Sequence, residues 1–205
     1  MRKNFIIGTL ACVFGLMTAC NNNQTATDGG DEATSEREIV YNDKIQDTFF
    51  GVPFGSTGED VEAGFNKAGL HKTISSTAKV YFFEPYSSKF SFGGLTWDYL
   101  RTVFSGDGAK NDGKFYSIQF CSAYKTKEAA LSDFNGVMNA LSHKYTLTKI
   151  VPTDTSTYKM YVGQTINNQV IIVSCSSYES FGHERWIGIE LNYSDYSYEK
   201  VSDEL

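Results

Sequence analysis

The sequence predicts an α+β fold in which two helices pack on one face of a mainly antiparallel sheet. Short runs of alternating apolar and polar residues, separated by turn residues, fill most of the chain after Ile45, as is typical of antiparallel strands. Two segments instead repeat apolar residues at helical spacing. Because strands precede and follow each helical segment, the chain also divides into two strand–helix–strands halves, which suggests a duplication.

The first helix is predicted directly after a short strand over residues 48–54. Ser56-Thr57-Gly58-Glu59 matches a capping box with Ser56 as the N-cap. Val61 and Phe65 then follow at helical spacing, and Gly69 suits the left-handed residue that ends many helices. A helix of about three turns is expected here.

The second helix is predicted from Thr126, which serves as N-cap. Its apolar stripe consists of Leu131, Phe134, Met138, Leu141 and Tyr145, with Ala130 and Val137 beside it. Strands are expected before it at 80–83, 90–92, 96–104 and 116–120, and after it at 146–151, 158–162, 170–173 and 186–193. The apolar run 170–173 predicts a central strand covered on both faces. In the last run Ile187, Ile189, Leu191 and Tyr193 are expected to point inward, and Glu190 and Asn192 outward.

The N-terminus has the three-part layout of an export signal over residues 1–19. Arg2 and Lys3 precede an apolar run that is too short to span a bilayer. Met17-Thr18-Ala19-Cys20 resembles the lipobox of bacterial lipoproteins. The resemblance implies cleavage before Cys20, a lipid on its thiol and attachment of the mature protein to a membrane. The alternative is an ordinary cleaved signal with a chance cysteine.

Residues 20–44 are predicted to form a disordered tether, and residues 45–205 a single domain. The tether is polar and acidic, and cannot bury enough apolar surface to offset its ordering entropy. An acidic stretch after the lipid cysteine resembles exported lipoproteins of the Bacteroidetes, which implies an outer-membrane location on either the periplasmic or the surface side. The segment Gly51–Gly55 followed by a capped helix is also similar to small outer-membrane lipoproteins of envelope assembly.

Charge and aromatic content limit the partners. Without Arg2 and Lys3, the 18 Lys and Arg residues fall to 16 against 24 Asp and Glu, a net charge of −8, which argues against a nucleic-acid partner. Aromatic residues make up 15% of the chain, and exposed rings form faces that bind sugars or proteins. Trp97, Tyr99 and Trp186 are predicted as members of such a patch, with burial in the core as the alternative for each.

Two cysteines remain in the predicted domain. Cys121 and Cys175 each lie near the end of a predicted strand, so they form either a disulfide or two buried free thiols, with a catalytic thiol as a third alternative. No metal site is predicted, because no pair among His71, His143 and His183 has ligand spacing.

Three further segments carry chemical groups in a weaker pattern. Gly55 and Gly58 at the first helix start suit an anion site, although a helix cap explains them. Residues 107–113 offer oxygen ligands, but the spacing departs from a calcium loop and favours a hairpin. His183-Glu184-Arg185, with Tyr178 and Glu179 nearby, contains acid and base groups, or forms a polar hairpin tip.

The sequence therefore predicts no catalytic residue and no cofactor. Two function classes follow. The first is a non-enzymatic binding or assembly module at the cell envelope, with a protein or a glycan as its partner. The second is a small envelope hydrolase whose site is assembled from scattered residues. A concave site with convergent polar groups favours the hydrolase, and an exposed aromatic patch favours the binding module.

Overall fold

The computed structural model describes residues 40–109, 112–179 and 185–199. These contain two helices and a large antiparallel sheet, which confirms the predicted α+β class. The signal, Cys20 and all but the last residues of the tether lie outside the described residues. The compact unit begins at Tyr41. Asn42 donates to the Thr146 carbonyl and accepts from the Thr146 amide at 3.0 and 2.7 Å, so the fold starts before the predicted boundary at Ile45.

The helices are α1 (Gly58–Lys67) and α2 (Lys127–Ser142), and a 3-10 turn follows at Tyr196–Tyr198. The strands are β1 (Thr48–Phe49), β2 (Val52–Pro53), β3 (Leu70–Lys72), β4 (Val80–Pro85), β5 (Phe90–Phe92), β6 (Leu95–Trp97), β7 (Tyr99–Phe104), β8 (Phe115–Tyr124), β9 (Thr148–Ile150), β10 (Thr157–Gln164), β11 (Gln169–Glu179) and β12 (Arg185–Asp195). Neither helix is long and apolar enough to span a membrane within the described residues.

Eight of these strands form one sheet in the order β3-β4-β7-β8-β12-β11-β10-β9, with every neighbouring pair antiparallel. The β1–β2 and β5–β6 pairs are separate two-stranded ribbons. The apolar run 170–173 lies within β11, an interior strand, and all four of its residues are buried. This confirms the prediction of a central strand with buried side chains on both faces.

Helix α1 begins one residue later than predicted. The N-cap is Thr57, whose hydroxyl accepts from the Asp60 amide at 3.2 Å, while the Asp60 carboxylate accepts from the Thr57 amide. The capping box at Ser56 was wrong because a hydroxyl and an acidic residue three positions apart occur in two overlapping frames. Gly69 has a φ of +82° and ends the helix in the left-handed region as predicted.

Helix α2 has Thr126 as its N-cap, as predicted, and the Thr126 hydroxyl accepts from the Ala129 amide at 3.3 Å. Its buried residues are Phe134 and Leu141 of the predicted stripe, together with Ala130 and Val137 beside it. The Phe134 ring lies 6.1 Å from the Tyr161 ring of β10. In α1 the Phe65 ring lies 4.9 Å from the Phe83 ring of β4. Each helix therefore contacts the sheet through a phenylalanine.

The strand register divides the central side chains of the sheet between two faces. One side is here called the Leu191 face. Strands β7, β8, β12 and β11 contribute to it Leu100, Thr102, Ile118, Phe120, Ile187, Ile189, Leu191, Tyr193, Ile171, Val173 and Cys175. The opposite side is here called the Glu190 face. The same strands contribute to it Tyr99, Arg101, Val103, Ser117, Gln119, Cys121, Trp186, Gly188, Glu190, Asn192, Ser194, Val170, Ile172, Ser174, Ser176 and Tyr178. The predicted inward and outward residues of β12 thus separate onto two faces.

Aromatic rings dominate the core on the Leu191 face. The Phe120 ring is fully buried and stacks on Phe92 with 4.2 Å between ring centroids. It also lies within 6.4 Å of Phe49, Trp97 and Tyr193. Such ring pairs contribute about 0.5–1.5 kcal/mol each beyond area burial. The high aromatic content of the sequence is therefore used largely in packing.

Candidate functional site

The centre of the Glu190 face is polar although it lies in the middle of an eight-stranded sheet. Arg101 of β7 pairs across the strands with Gln119 of β8, which pairs with Asn192 of β12. One row along, Cys121 of β8 pairs with Glu190 of β12. Gln119 is 4% exposed, whereas Arg101 and Glu190 are partly buried and reach solvent. These strands therefore place a guanidinium, an amide and a carboxyl group side by side.

The hydrogen bonds of this centre are incomplete. The Gln119 side chain hydrogen-bonds Glu190, but its carbonyl oxygen is buried and has no hydrogen-bond partner. Arg101 has no carboxylate within 4.0 Å in the described part of the chain. Burial raises the pKa of Glu190, and the Arg101 charge opposes that rise only in part. The site therefore combines an unpaired guanidinium with a carboxyl group whose ionisation is disfavoured. This arrangement can bind an external polar group.

A second polar group lies beside this centre on the same face. The Ser117 hydroxyl donates to the Asn192 side-chain oxygen, and the Ser194 hydroxyl donates to Ser117, both at 2.9 Å. All three residues are at most 7% exposed. Because their hydrogen bonds are made within the protein, these residues support the sheet and offer little to a ligand.

Tyrosines border the centre on the side of β7 and β11. The Tyr99 hydroxyl donates to the Cys121 sulfur, and burial raises the pKa of both side chains. The Tyr178 ring lies over Gly188, where an added Cβ would stand 2.8 Å from the ring. Gly188 thus gives the ring room to lie against the sheet, and burial raises the Tyr178 pKa. Both phenols therefore stay neutral at physiological pH.

The structure separates the three predicted patch residues. Trp97 is 1% exposed, and its ring lies 5.6 Å from the Phe120 ring in the core. Tyr99 and Trp186 lie on the Glu190 face, both partly buried, and Trp186 pairs across strands with Tyr178. Trp97 therefore follows the alternative of core burial, because Asp98 separates β6 from β7 and breaks the alternation expected over 96–104.

Cys121 and Cys175 are both free and buried, so of the alternatives the disulfide is not formed. Strand β12 lies between their strands, and the register places Cys121 on the Glu190 face and Cys175 on the Leu191 face. Two strand spacings amount to about 9.5 Å, beyond the roughly 7 Å that a disulfide spans. Burial raises the pKa of both thiols, which disfavours the reactive thiolate. The alternative of two buried thiols is the one observed.

A cleft of about 280 Å³ lies on the other side of the sheet, between β6, β8 and α2. Leu95, Val137 and Ile189 contribute apolar walls. The Tyr124 hydroxyl donates to Asp133, the one charged residue among the described residues that line it. The cleft therefore offers a carboxylate and hydroxyl groups, and burial raises the pKa of the Tyr124 hydroxyl that bonds to that carboxylate.

The weaker candidates have structural explanations where they are described. Residues 107–113 connect the antiparallel neighbours β7 and β8, as the hairpin interpretation predicts, with Lys110 and Asn111 outside the described residues. Added Cβ atoms at Gly55 and Gly58 would collide with Tyr198 and Ala109, so packing explains both glycines. His183 and Glu184 lie outside the described residues. The described residues hold no group of three metal-ligating side chains.

Sequence reasoning did not select Arg101 or Gln119, and it treated Glu190 only as an outward residue. Each is a polar side chain at an alternate position of a predicted strand, which is an ordinary solvent-facing pattern. Their adjacency depends on the β7–β8 and β8–β12 registers, and β8 and β12 are separated by α2 and three strands. A pattern within one segment carries no information on such a pairing.

Comparisons of the chain with protein-family models, curated proteins and solved structures found no match.

Proposed function

We propose that this protein is a lipid-anchored protein of the bacterial outer membrane whose domain binds a glycan on the Glu190 face without catalysing a reaction. The observation that supports this most strongly is the composition of that face. It combines partly buried Tyr99, Tyr178 and Trp186 with the side chains of Arg101 and Glu190. Rings that pack on sugar C–H groups, beside side chains that bond to hydroxyl groups, suit a carbohydrate.

Both helices are proposed to cover the Leu191 face and to leave the Glu190 face to the ligand. Phe65 of α1 contacts Phe83, and Phe134 of α2 contacts Tyr161. The register aligns Phe83 and Tyr161 with residues of the Leu191 face through Leu100 and Val173. The strand order supports two halves, since each helix precedes a run of neighbouring strands and the last strands, β8 and β12, meet at the centre.

A glycan fits this face better than a protein partner does. Protein–protein interfaces are depleted in charged residues at their core and polar at their rim. The Glu190 face has the opposite arrangement, with Arg101, Gln119 and Glu190 at its centre and Val80, Phe82, Ile172 and Val162 toward its edges. A polyhydroxylated ligand offers hydrogen bonds to such a centre.

The raised pKa values of the buried hydroxyl and thiol groups in the described cleft and on the described face support binding over hydrolysis. Tyr99 and Cys121 are joined by a hydrogen bond, but burial raises the pKa of both. A nucleophile needs the opposite shift or an adjacent base. Cleavage of a bound glycan by the purified protein would overturn the non-enzymatic part of the proposal.

The membrane anchor is tested by cell fractionation of the protein and its Cys20→Ala form. Lipidation at Cys20 predicts that the unaltered chain fractionates with membranes and that the variant does not. An unchanged distribution would overturn the anchor. Protease treatment of intact cells then separates the periplasmic from the surface side.

Glycan binding is tested with full-length protein in detergent on an array of envelope and extracellular glycans. Tyr178→Ala is expected to weaken binding about tenfold, which corresponds to about 1.4 kcal/mol. Tyr86→Ala is the matched control, because Tyr86 is 77% exposed and stacks on His71 away from the centre of the face. Equal loss in both variants, or capture of a protein partner on this face without glycan binding, would contradict the proposal.

A further inference from the structure

On the basis of the proposed glycan-binding function, we infer that the ligand is an acidic glycan, whose carboxylate pairs with Arg101 and whose hydroxyl groups bond to Gln119 and Glu190.

Arg101 is the group that selects the charge of the ligand. Its guanidinium is partly buried and has no carboxylate within 4.0 Å among the described residues. Arginine has five donors in a planar fork that matches a carboxylate with two parallel hydrogen bonds. Phe82 and Gln119 flank it on the neighbouring strands. A partly desolvated, unpaired fork of this kind favours an anion that arrives with the ligand.

Gln119 provides the second, independent observation. Gln119 is only 4% exposed, and its side-chain carbonyl oxygen has no hydrogen-bond donor. A buried acceptor without a donor is unfavourable. The Gln119 nitrogen is already engaged by Glu190, so the oxygen is the side-chain atom left without a partner, and a sugar hydroxyl is one donor that would satisfy it.

Glu190 would lie close to the carboxylate of an acidic ligand, so its own ionisation state matters for binding. The groups that face it are Arg101 and Tyr99 on β7, Gln119 and Cys121 on β8, and Ser174 and Tyr178 on β11. Among these described groups that face Glu190, Arg101 is the only cation. Burial already raises the Glu190 pKa, so a second anion nearby favours the protonated carboxylic acid, which donates a hydrogen bond where the carboxylate only accepts.

The test compares trimers of galacturonate and glucuronate with their methyl esters, which keep the sugar shape but remove the charge. Binding to the full-length protein in detergent is measured by calorimetry. The acidic trimers are expected to bind at least tenfold more tightly than the esters. Arg101→Met is expected to abolish that preference, and Glu190→Gln to strengthen binding of the acids at pH 8.

Arg101→Lys separates charge from geometry, and provides a test if Arg101→Met does not fold. It keeps the positive charge but loses the planar fork, so the preference for acids is expected to fall without disappearing. Equal binding of acids and esters, or an unchanged preference in both variants, would overturn the acidic-glycan inference and leave the proposed function intact. Failure to bind any charged or neutral glycan would overturn the proposed function itself.

Discussion

Two glycines in the helix interiors allow one matched prediction. Gly64 lies in α1 and Gly136 in α2. A Cβ on Gly64 would stand 2.2 Å from Cγ2 of Val52, which is 5% exposed. A Cβ on Gly136 meets no described atom within 4 Å. Both residues are glycines in a helix, but only Gly64 makes room for a packed neighbour.

The two alanine variants are therefore expected to differ in stability, with Gly136→Ala stabilising and Gly64→Ala neutral to destabilising. Alanine improves helix propensity by about 1 kcal/mol at either site, so Gly136→Ala should raise the free energy of unfolding by about that amount. In Gly64→Ala the same gain is opposed by an overpacking cost of about 1–3 kcal/mol. Val52 is β-branched, and its methyl group has little freedom to turn aside. The variants should differ by about 1–3 kcal/mol.

Urea denaturation measures both variants against the unaltered domain. A Val52→Ala background removes the opposing methyl group, and there Gly64→Ala should stabilise as Gly136→Ala does. Equal effects of the two single variants, or no rescue in the Val52→Ala background, would refute the close approach between α1 and β2.

Three further predictions concern the cap, the buried carboxyl and the thiols. Thr57→Ala should lower the unfolding free energy by about 1 kcal/mol, whereas Ser56→Ala should change it little, because the structure places the cap at Thr57; urea titration distinguishes them, and a larger loss at Ser56 would favour the other frame. The raised pKa of Glu190 means that ionising it opposes folding as pH rises. Glu190→Gln should therefore stabilise at pH 8 and have little effect near pH 4, and a pH-independent difference would contradict this. Cys121 and Cys175 should resist a thiol reagent in the native state and react on unfolding, so rapid native labelling would contradict their burial.

Local patterns were sufficient for the elements whose signals lie within one segment. Thr126 and the stripe around Phe134 located α2, and the apolar run at Ile171 identified an interior strand. The α1 cap was off by one residue, because Ser56 and Thr57 offer equivalent hydroxyls. Such signals depend on neighbours three or four residues away, which the sequence contains directly.

The candidate site required information that no single segment holds. Arg101, Gln119 and Glu190 become neighbours only through strand registers that connect distant parts of the chain. The same limitation affected Cys121 and Cys175, whose side chains point to opposite faces. Alternation predicts which residues share a face within one strand, but it does not predict which strands are neighbours.

The pairing of β8 with β12 has a consequence for how the chain folds. Ser117 and Ser194 are partners in this pairing, so β8 has an unpaired edge until the chain has continued through α2 and three more strands. Contacts at such sequence separation form slowly, and an open strand edge is prone to join another chain. A chain truncated before β12 should therefore aggregate through β8. The addition of β12 is the folding step that joins β8 to β11 in one sheet.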